Sequence, residues 1–376
     1  MLKVILIGTV ASSFLGFRAD LIKALLKKEH IVYAFTSEYS KEQLSLIKSL
    51  GAIPITYKLN RGGINPLIDI KATYELSKKI KEIAPDIVFC YFSKPVIFGT
   101  LSAKLAKVPR VIGMLEGLGY TFTEQPNHAS KKTQVIKKVQ ILLYKLALPQ
   151  LDKIIFLNPD DPKDLLDKHN IRVKEVAVLG GIGLNLEDYP YSNVYPDIPT
   201  FIFVARLLAE KGIHDYIAAA KIVKDSYPEA KFIVLGTIDK EALGALTEAE
   251  LHEVTQANIV EYPGHVNNVP EWIANSSVFV LPSYYREGVP RSTQEAMGIG
   301  RAVITTDVPG CRETVIDGVN GFLVERWNPQ ALAEKMIYFI QHPEEIEKMG
   351  YESYKIAQDK FDARKVNKRL INMLGL

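Results

Sequence analysis

The feature that most restricts the fold of this chain is an alternation: short runs dense in Val, Ile and Phe recur between longer stretches with helical periodicity, from residue 3 almost to the end. Runs that are apolar throughout suit strands covered on both faces, and such strands belong to parallel sheets. Antiparallel neighbours need only a tight turn, whereas parallel ones need a crossover of about a dozen residues or more, usually a helix. The spacers here have that length. The pattern therefore predicts parallel sheets flanked by helices, with strands at 3–8, 31–36, 53–57, 86–91, 110–115, 153–157 and 175–179 and helices such as 21–28 and 73–83 between them.

After Asn185 the pattern stops. Residues 186–199 hold three prolines and follow neither a helical nor a strand period, which reads as a linker. Strand-like runs resume at 200–205, 231–236, 258–262, 278–282, 302–306 and 321–324, and 344–376 reads as helix. A length of 376 residues fits two domains. The expected division is a first domain over 1–187, a linker over 188–199, a second domain over 200–355 and a C-terminal helix over 356–376 returning to the first domain. In doubly wound sheets, ligands sit beyond the carboxyl ends of the strands. The site is therefore expected there, in a cleft that the two domains face.

A net charge of +3 is too mild for a nucleic-acid partner, which requires a strongly basic face. The two cysteines, Cys90 and Cys311, are far apart and suggest neither a disulfide framework nor zinc, so a reducing cytoplasm is expected. Residues 4–11 have the look of a short signal peptide, but a buried first strand ending in Gly8 accounts for the same letters. No run reaches the ~20 apolar residues of a membrane span.

The chemistry concentrates around Glu287 and Glu295, which bracket seven residues. The segment leaves a strand at Pro282, turns at Gly288 and Pro290, and enters a helical pattern at Arg291. Proline suits the first helical turn, where its missing N–H costs nothing, and the N–H groups of Arg291, Ser292 and Thr293 would form a positive helix end. A diphosphate suits such an end. Glu287 would then lie in the loop near a sugar, and Glu295, a turn along the helix, would accept hydrogen bonds from a ribose diol. Two glutamates at this spacing are by themselves ordinary surface acids; the strand before them and the helix start between them change that reading.

Here the sequence resembles a known family. Glu-x7-Glu after Leu281-Pro282-Ser283 is similar to the donor motif of the family-4 retaining glycosyltransferases of the GT-B fold, and 302–310 and 313–324 resemble the segments that follow it in that family. The resemblance runs over nearly the whole chain. It implies two Rossmann-like, doubly wound parallel-sheet domains, the first binding an acceptor and the second a UDP-sugar. Residues 203–212 resemble the family's other donor element, in which an Arg and a Lys, here Arg206 and Lys211, hold the leaving diphosphate. Fixed cations that meet charge developing on a leaving group lower the barrier. Gly236 and Thr237, with the loop Gly264, His265 and Val266, are implied to line the donor site, as are Gly288, Val289, Pro290 and Ser292. His265 also reads as merely structural, and Arg291 as either a phosphate contact or a solvated helix-start cation.

On the acceptor side, the small polar loop with Gly8, Ser12 and Ser13 follows the first strand, where backbone can approach a ligand. With Phe17, Arg18, Arg61, Asn65 and the segment beginning at Glu116, it resembles the bacterial branch that adds N-acetylhexosamines to undecaprenyl-diphosphate-linked sugars, among them transferases acting on lipid-linked bacillosamine. Many family members have a histidine after the fourth strand; here 91–95 reads Tyr-Phe-Ser-Lys-Pro, so no catalytic histidine is assigned, and Lys94 is grouped with the acceptor residues. Residues 128–148 carry Lys131, Lys132, Lys137, Lys138 and Lys145 among aliphatics and no acid. That stretch reads either as a helix lying on the cytoplasmic membrane face or as one packed on the sheet with a solvated lysine face.

The resemblance implies attack by an acceptor hydroxyl on the face the diphosphate leaves, with Glu287 binding donor hydroxyls. No Asp-x-Asp stands in the donor region, so no cofactor and no metal are expected. Rival readings are a nucleotide-sugar 2-epimerase, which leaves Arg206 with Lys211 unexplained, and a catalytically silent binder of the same fold. A dinucleotide-dependent dehydrogenase would need Gly-x-Gly-x-x-Gly after the first strand, which 8–13 lacks.

Overall fold

The computed structural model describes residues 1–59, 66–126, 130–239 and 244–376. It divides into two compact units, one of Met1–Thr121, Ser130–Ile182 and Ala363–Leu376, the other of Phe122–Ala129 and Gly183–Asp362.

In the first unit the described strands are β1 (Lys3–Ile7), β2 (Ile31–Thr36), β3 (Ile53–Thr56), β4 (Ile87–Tyr91), β5 (Arg110–Leu115), β6 (Lys153–Phe156) and β7 (Val176–Val178). They form one parallel sheet in the order β3-β2-β1-β4-β5-β6-β7. Every residue of β4 is buried, as expected for a central strand covered by helices on both faces, whereas β3 and β7 at the edges leave residues exposed. The apolar run at 4–7 is thus the middle of the sheet, with Val4 in register with Val32 on one side and Ile87 on the other. The strand order reverses between β1 and β4, so the loops leaving these two strands part in opposite directions and open a crevice between them.

In the second unit the strands are β8 (Thr200–Val204), β9 (Lys231–Leu235), β10 (Val278–Leu281), β11 (Ala302–Thr306) and β12 (Gly321–Val324), parallel in the order β12-β11-β10-β8-β9. Its reversal lies between β8 and β10. Their loops carry Arg206, Lys211 and Glu287.

Two details differ from the sequence reading. The run at 258–262 forms no strand: Asn258, at φ +53, turns the chain in the left-handed region after the helix Glu248–Gln256, and only Glu261 bridges to Ile233. The expected continuous C-terminal helix is two helices, Pro343–Lys360 and Ala363–Leu374, broken where Leu184 pairs with Phe361 and Asp362. The second packs in the first unit against the helix Ala19–Lys27, and Lys153 donates to the Met373 carbonyl at 2.8 Å.

The stretch 188–199, irregular as expected, is nonetheless packed on the second unit. The Tyr191 ring lies 4.6 Å from that of Tyr354, and the buried Arg301 donates to the Ser192 carbonyl at 2.9 Å.

The helix Lys131–Ala147 buries Thr133, Tyr144 and Ala147. Val135, Leu142 and Leu146 point the other way, 60%, 57% and 55% exposed, alongside the exposed Lys131, Lys138 and Lys145. His128, where the basic stretch was taken to begin, lies outside the described residues. None of the described helices is long and apolar enough to cross a membrane.

Candidate active site

The loop after β8 turns through a short 3-10 segment, Ala209–Lys211, that is fastened to the loop after β10 by the Glu210 carbonyl. That one oxygen accepts from the N–H groups of Tyr284 and Tyr285, at 2.9 and 3.0 Å, and from the Ser283 hydroxyl at 3.1 Å. Gly212, at φ +83, lets the backbone come this close: a Cβ there would fall 2.1 Å from the Pro282 carbonyl oxygen. Two separate loops are thereby held in one register.

That register sets Lys211 against Glu287. Lys211 Nζ lies 2.8 Å from Glu287 Oε1, with the two side chains only 14% and 13% exposed. The Ser283 hydroxyl lies 2.9 Å from the same carboxylate oxygen, sharing its one proton between it and the Glu210 carbonyl, and the Tyr285 ring lies 5.2 Å from the ammonium. Charges this poorly hydrated hold each other in place, because removing either would strand the other in a low-dielectric setting. Below them Cys311 is buried, which, with the Glu287 carboxylate nearby, pushes its thiol up to about 12. It is an inert thiol at neutral pH.

Pro290 is the N-cap of the helix Arg291–Ile299 and supplies no side-chain hydrogen bond to it. Gly288, Val289 and Pro290 are buried in the approach to it, and Ser292 is partly exposed at its start. Arg291 is partly buried and paired: its Nε lies 2.9 Å from Glu295 Oε1, the oxygen to which Tyr189 donates at 2.8 Å. Burial, reinforced by the Glu295 charge, pushes the Tyr189 phenol up to about 12, so it stays a donor. Glu287 and Glu295 thus have separate sets of partners.

Arg206 stands further out, half-exposed and 3.4 Å from Asp239. Its loop is joined to the one after β9 by the N–H of Leu207 donating to the Thr237 carbonyl at 3.1 Å. Gly236 follows β9 directly, and its carbonyl accepts from Tyr262 at 2.9 Å, which brings the 264–266 loop alongside. His265 there is exposed.

This second-unit arrangement accompanies a wider likeness. The fold matches that of a crystal structure of Anabaena HepE in complex with UDP and glucose, with a TM-score of 0.76, 18% identity and coverage of 100% of both chains. Residues 189–356 match the family model for glycosyl transferases group 1, and residues 3–158 that for glycosyl transferase 4-like domains. The chain belongs to the GT-B glycosyltransferases. Among curated relatives, the N,N'-diacetylbacillosaminyl-diphospho-undecaprenol alpha-1,3-N-acetylgalactosaminyltransferase of Campylobacter jejuni is 28% identical over 88% of this chain and 87% of its own. The UDP-Gal:alpha-D-GlcNAc-diphosphoundecaprenol alpha-1,3-galactosyltransferase of Escherichia coli is 26% identical over 70% of this chain and 68% of its own.

The first unit of this GT-B glycosyltransferase gathers a second polar cluster where its sheet order reverses. Arg18, 1% exposed, pairs with Glu116 from the end of β5, and its guanidinium lies 4.9 Å from the centre of the Tyr91 ring. Ser13 shares a hydrogen bond of 3.0 Å with the Tyr91 hydroxyl, and the Gly8 carbonyl accepts from Tyr57 at 2.8 Å. Burial raises the Glu116 carboxyl above its ordinary range, against the pull of Arg18. Ser12 and Phe17 are exposed on the same short helix, Ala11–Phe17. Arg61 and Asn65 lie outside the described residues.

Lys94 has a partner the sequence reading overlooked. Asp69, 2% exposed, lies 3.8 Å from Lys94 Nζ, and burial lowers the lysine's pKa although Asp69 opposes it. The signal was present: Asp69 is an acid on the face of the helix Pro66–Ile83 that also carries the buried Ala72, Leu76 and Ile80, where an unpaired carboxylate would be costly. Tyr189 was missed for a different reason, since its partner Glu295 is 106 residues away in sequence, whereas Ser283 bonds Glu287 in its own loop.

Proposed function

We propose that this glycosyltransferase transfers an N-acetylhexosamine, GalNAc or GlcNAc, from its UDP derivative to an undecaprenyl-diphosphate-linked sugar, with retention of configuration, as a family-4 enzyme of surface-glycan assembly. The observation that carries the reading is the pairing of Lys211 with Glu287 at the carboxyl ends of β8 and β10. The activities of the Campylobacter and Escherichia relatives support a lipid-diphosphate acceptor.

In the proposed reaction the bond between the sugar C1 and the β-phosphate oxygen breaks as the acceptor hydroxyl adds to C1 from the same face. The hydroxyl proton passes to the departing phosphate oxygen, and UDP leaves. Lys211 and Arg206 meet the charge that develops on the diphosphate. Glu287, anchored by Lys211 and Ser283, accepts hydrogen bonds from donor-sugar hydroxyls, and Glu295, held by Arg291 and Tyr189, takes the ribose diol. No step requires a metal ion.

The same reading places the first unit on the cytoplasmic membrane face. The outward side of the helix Lys131–Ala147 pairs Val135, Leu142 and Leu146 with lysines, and the helix has no acid. A face that is apolar and cationic together suits anionic headgroups better than water. The deciding experiment incubates the protein with a panel of UDP-sugars and a polyprenyl-diphosphate-linked sugar and follows UDP release and the anomeric configuration of the product by NMR. Release without transfer, or an inverted anomer, would overturn the reading.

A further inference from the structure

A cavity of about 500 Å³ in the second unit lies beside Glu287 and has no part in the donor reading above. Three guanidinium groups line it, each from the end of a different neighbouring strand: Arg286 after β10, Arg312 after β11 and Arg326 after β12. Tyr284 and Trp327 form its aromatic side, their rings 5.4 Å apart and crossed at 70°. The Arg326 guanidinium lies 4.4 Å from the centre of the Trp327 ring.

The cavity shares a wall with the proposed donor site. The loop after β11 passes flush against the backbone of Glu287 and Gly288, and Gly310, at φ +87, permits the approach: a Cβ there would lie 2.6 Å from both carbonyl oxygens. On the far side Thr123 accepts from the Arg286 N–H at 3.0 Å, which ties the 122–126 segment to the same loop. Trp327 sits at φ +59, a left-handed conformation that a bulky residue adopts only when its surroundings hold it there.

The charges narrow the ligand class. Arg326 pairs with Glu124 and Arg312 with Asp307, the latter at 2.7 Å, but these carboxylates are 68% and 59% exposed. Exposed ion pairs contribute at most about 1 kcal/mol, so both acids can swing into water at little cost. The planar fork of each arginine matches phosphate oxygens two at a time, which a neutral hydroxyl cannot exploit. Glu325 also lines the cavity, and three such forks favour a group with several negative oxygens that can displace these carboxylates.

We propose that this cavity binds the diphosphate of the lipid-linked acceptor, so that the second unit holds the acceptor's charged link as well as the donor. The inference rests on the acceptor class proposed above. Two measurements test it. In the first, inorganic pyrophosphate is titrated by calorimetry into protein saturated with UDP. Wild type should bind it, and Arg312→Ala and Arg326→Ala should each weaken binding about tenfold or more, the loss expected for one charge-assisted contact. In the second, the same variants should raise KM for the polyprenyl-diphosphate-linked sugar by a similar factor while kcat, KM for the UDP-sugar and activity on the same sugar carried by a neutral alkyl chain stay unchanged.

No pyrophosphate binding to the UDP-saturated protein, or equal binding by wild type and both variants, would overturn the cavity assignment, as would equal losses on charged and neutral acceptors. A protein that accepts no lipid-linked sugar at all overturns the acceptor class instead, and the pyrophosphate titration still decides whether the cavity is a diphosphate site.

Discussion

Lys211 and Glu287 are 76 residues apart in the chain, yet their charged groups meet at 2.8 Å because β8 and β10, whose loops carry them, are neighbours in the sheet. The pair is therefore a product of topology. Its members are also held by different means, Lys211 by the turn that Glu210 staples and Glu287 by the Ser283 hydroxyl.

Lys211→Ala should lower kcat by about two to three orders of magnitude, the usual loss when a fixed partner of transition-state charge is removed, and Glu287→Gln, which leaves that poorly hydrated cation unpaired, should lower it by a similar factor. Ser283→Ala, which removes only an anchor of Glu287, should cost about tenfold, as for one hydrogen bond to a charged group. Steady-state UDP release measures all three. An unchanged rate in Lys211→Ala would remove this cation from the reaction.

Tyr189→Phe deletes the hydroxyl that donates to Glu295 at 2.8 Å. If Glu295 holds the ribose, KM for the donor should rise about tenfold with kcat little changed, the pattern of lost ground-state binding. A fall in kcat at constant KM would place Glu295 at the reacting centre instead.

Excess EDTA should leave initial rates unchanged within about twofold, since the proposed charge neutralisation comes from arginine and lysine rather than from a metal ion. Loss of activity on chelation, restored by a divalent cation, would contradict that.

The helix Lys131–Ala147 offers a graded test. Each of Lys131, Lys138 and Lys145 changed to Gln should weaken sedimentation with anionic vesicles about fivefold, from roughly 1 kcal/mol per surface lysine. Leu142→Ser and Leu146→Ser should weaken it in anionic and neutral vesicles alike. Transfer to a water-soluble acceptor should be indifferent to all five changes.

Removing the partner of Glu116 should make stability depend on pH. Its carboxyl is raised by burial and restrained by Arg18, so in Arg18→Met it rises further. A raised carboxyl contributes stability that is present at low pH and is lost as pH climbs through the folded-state value. The deficit of Arg18→Met relative to wild type should thus be small near about pH 4 and approach about 3 kcal/mol at neutral pH, as for a buried charge left unpaired. Urea unfolding of both proteins at the two pH values measures it.

The strands that read most clearly from sequence are those that meet only one kind of environment. β4, buried at every position, shows as an unbroken apolar run. The run at 258–262, Asn-Ile-Val-Glu-Tyr, is only partly apolar and lies beyond β9 at the edge, where the left-handed Asn258 and a single bridge decide its shape. The break at Phe361 was hidden because helical periodicity continues on both sides, with Ala357, Val366 and Leu370 all buried. At the site, the Glu-x7-Glu segment could be placed because its meaning lies in adjacent residues. Asp69 and Tyr189 take theirs from contacts that exist only once distant segments have met.

The helix Ala363–Leu374 belongs to the first unit, but translation reaches it only after the whole of Gly183–Asp362 has been made. The first sheet must therefore wait, with the helix Ala19–Lys27 uncovered and Lys153 without the Met373 carbonyl, while the second unit is free to fold ahead of it. On the ribosome, the half of the protein that is begun first is finished last.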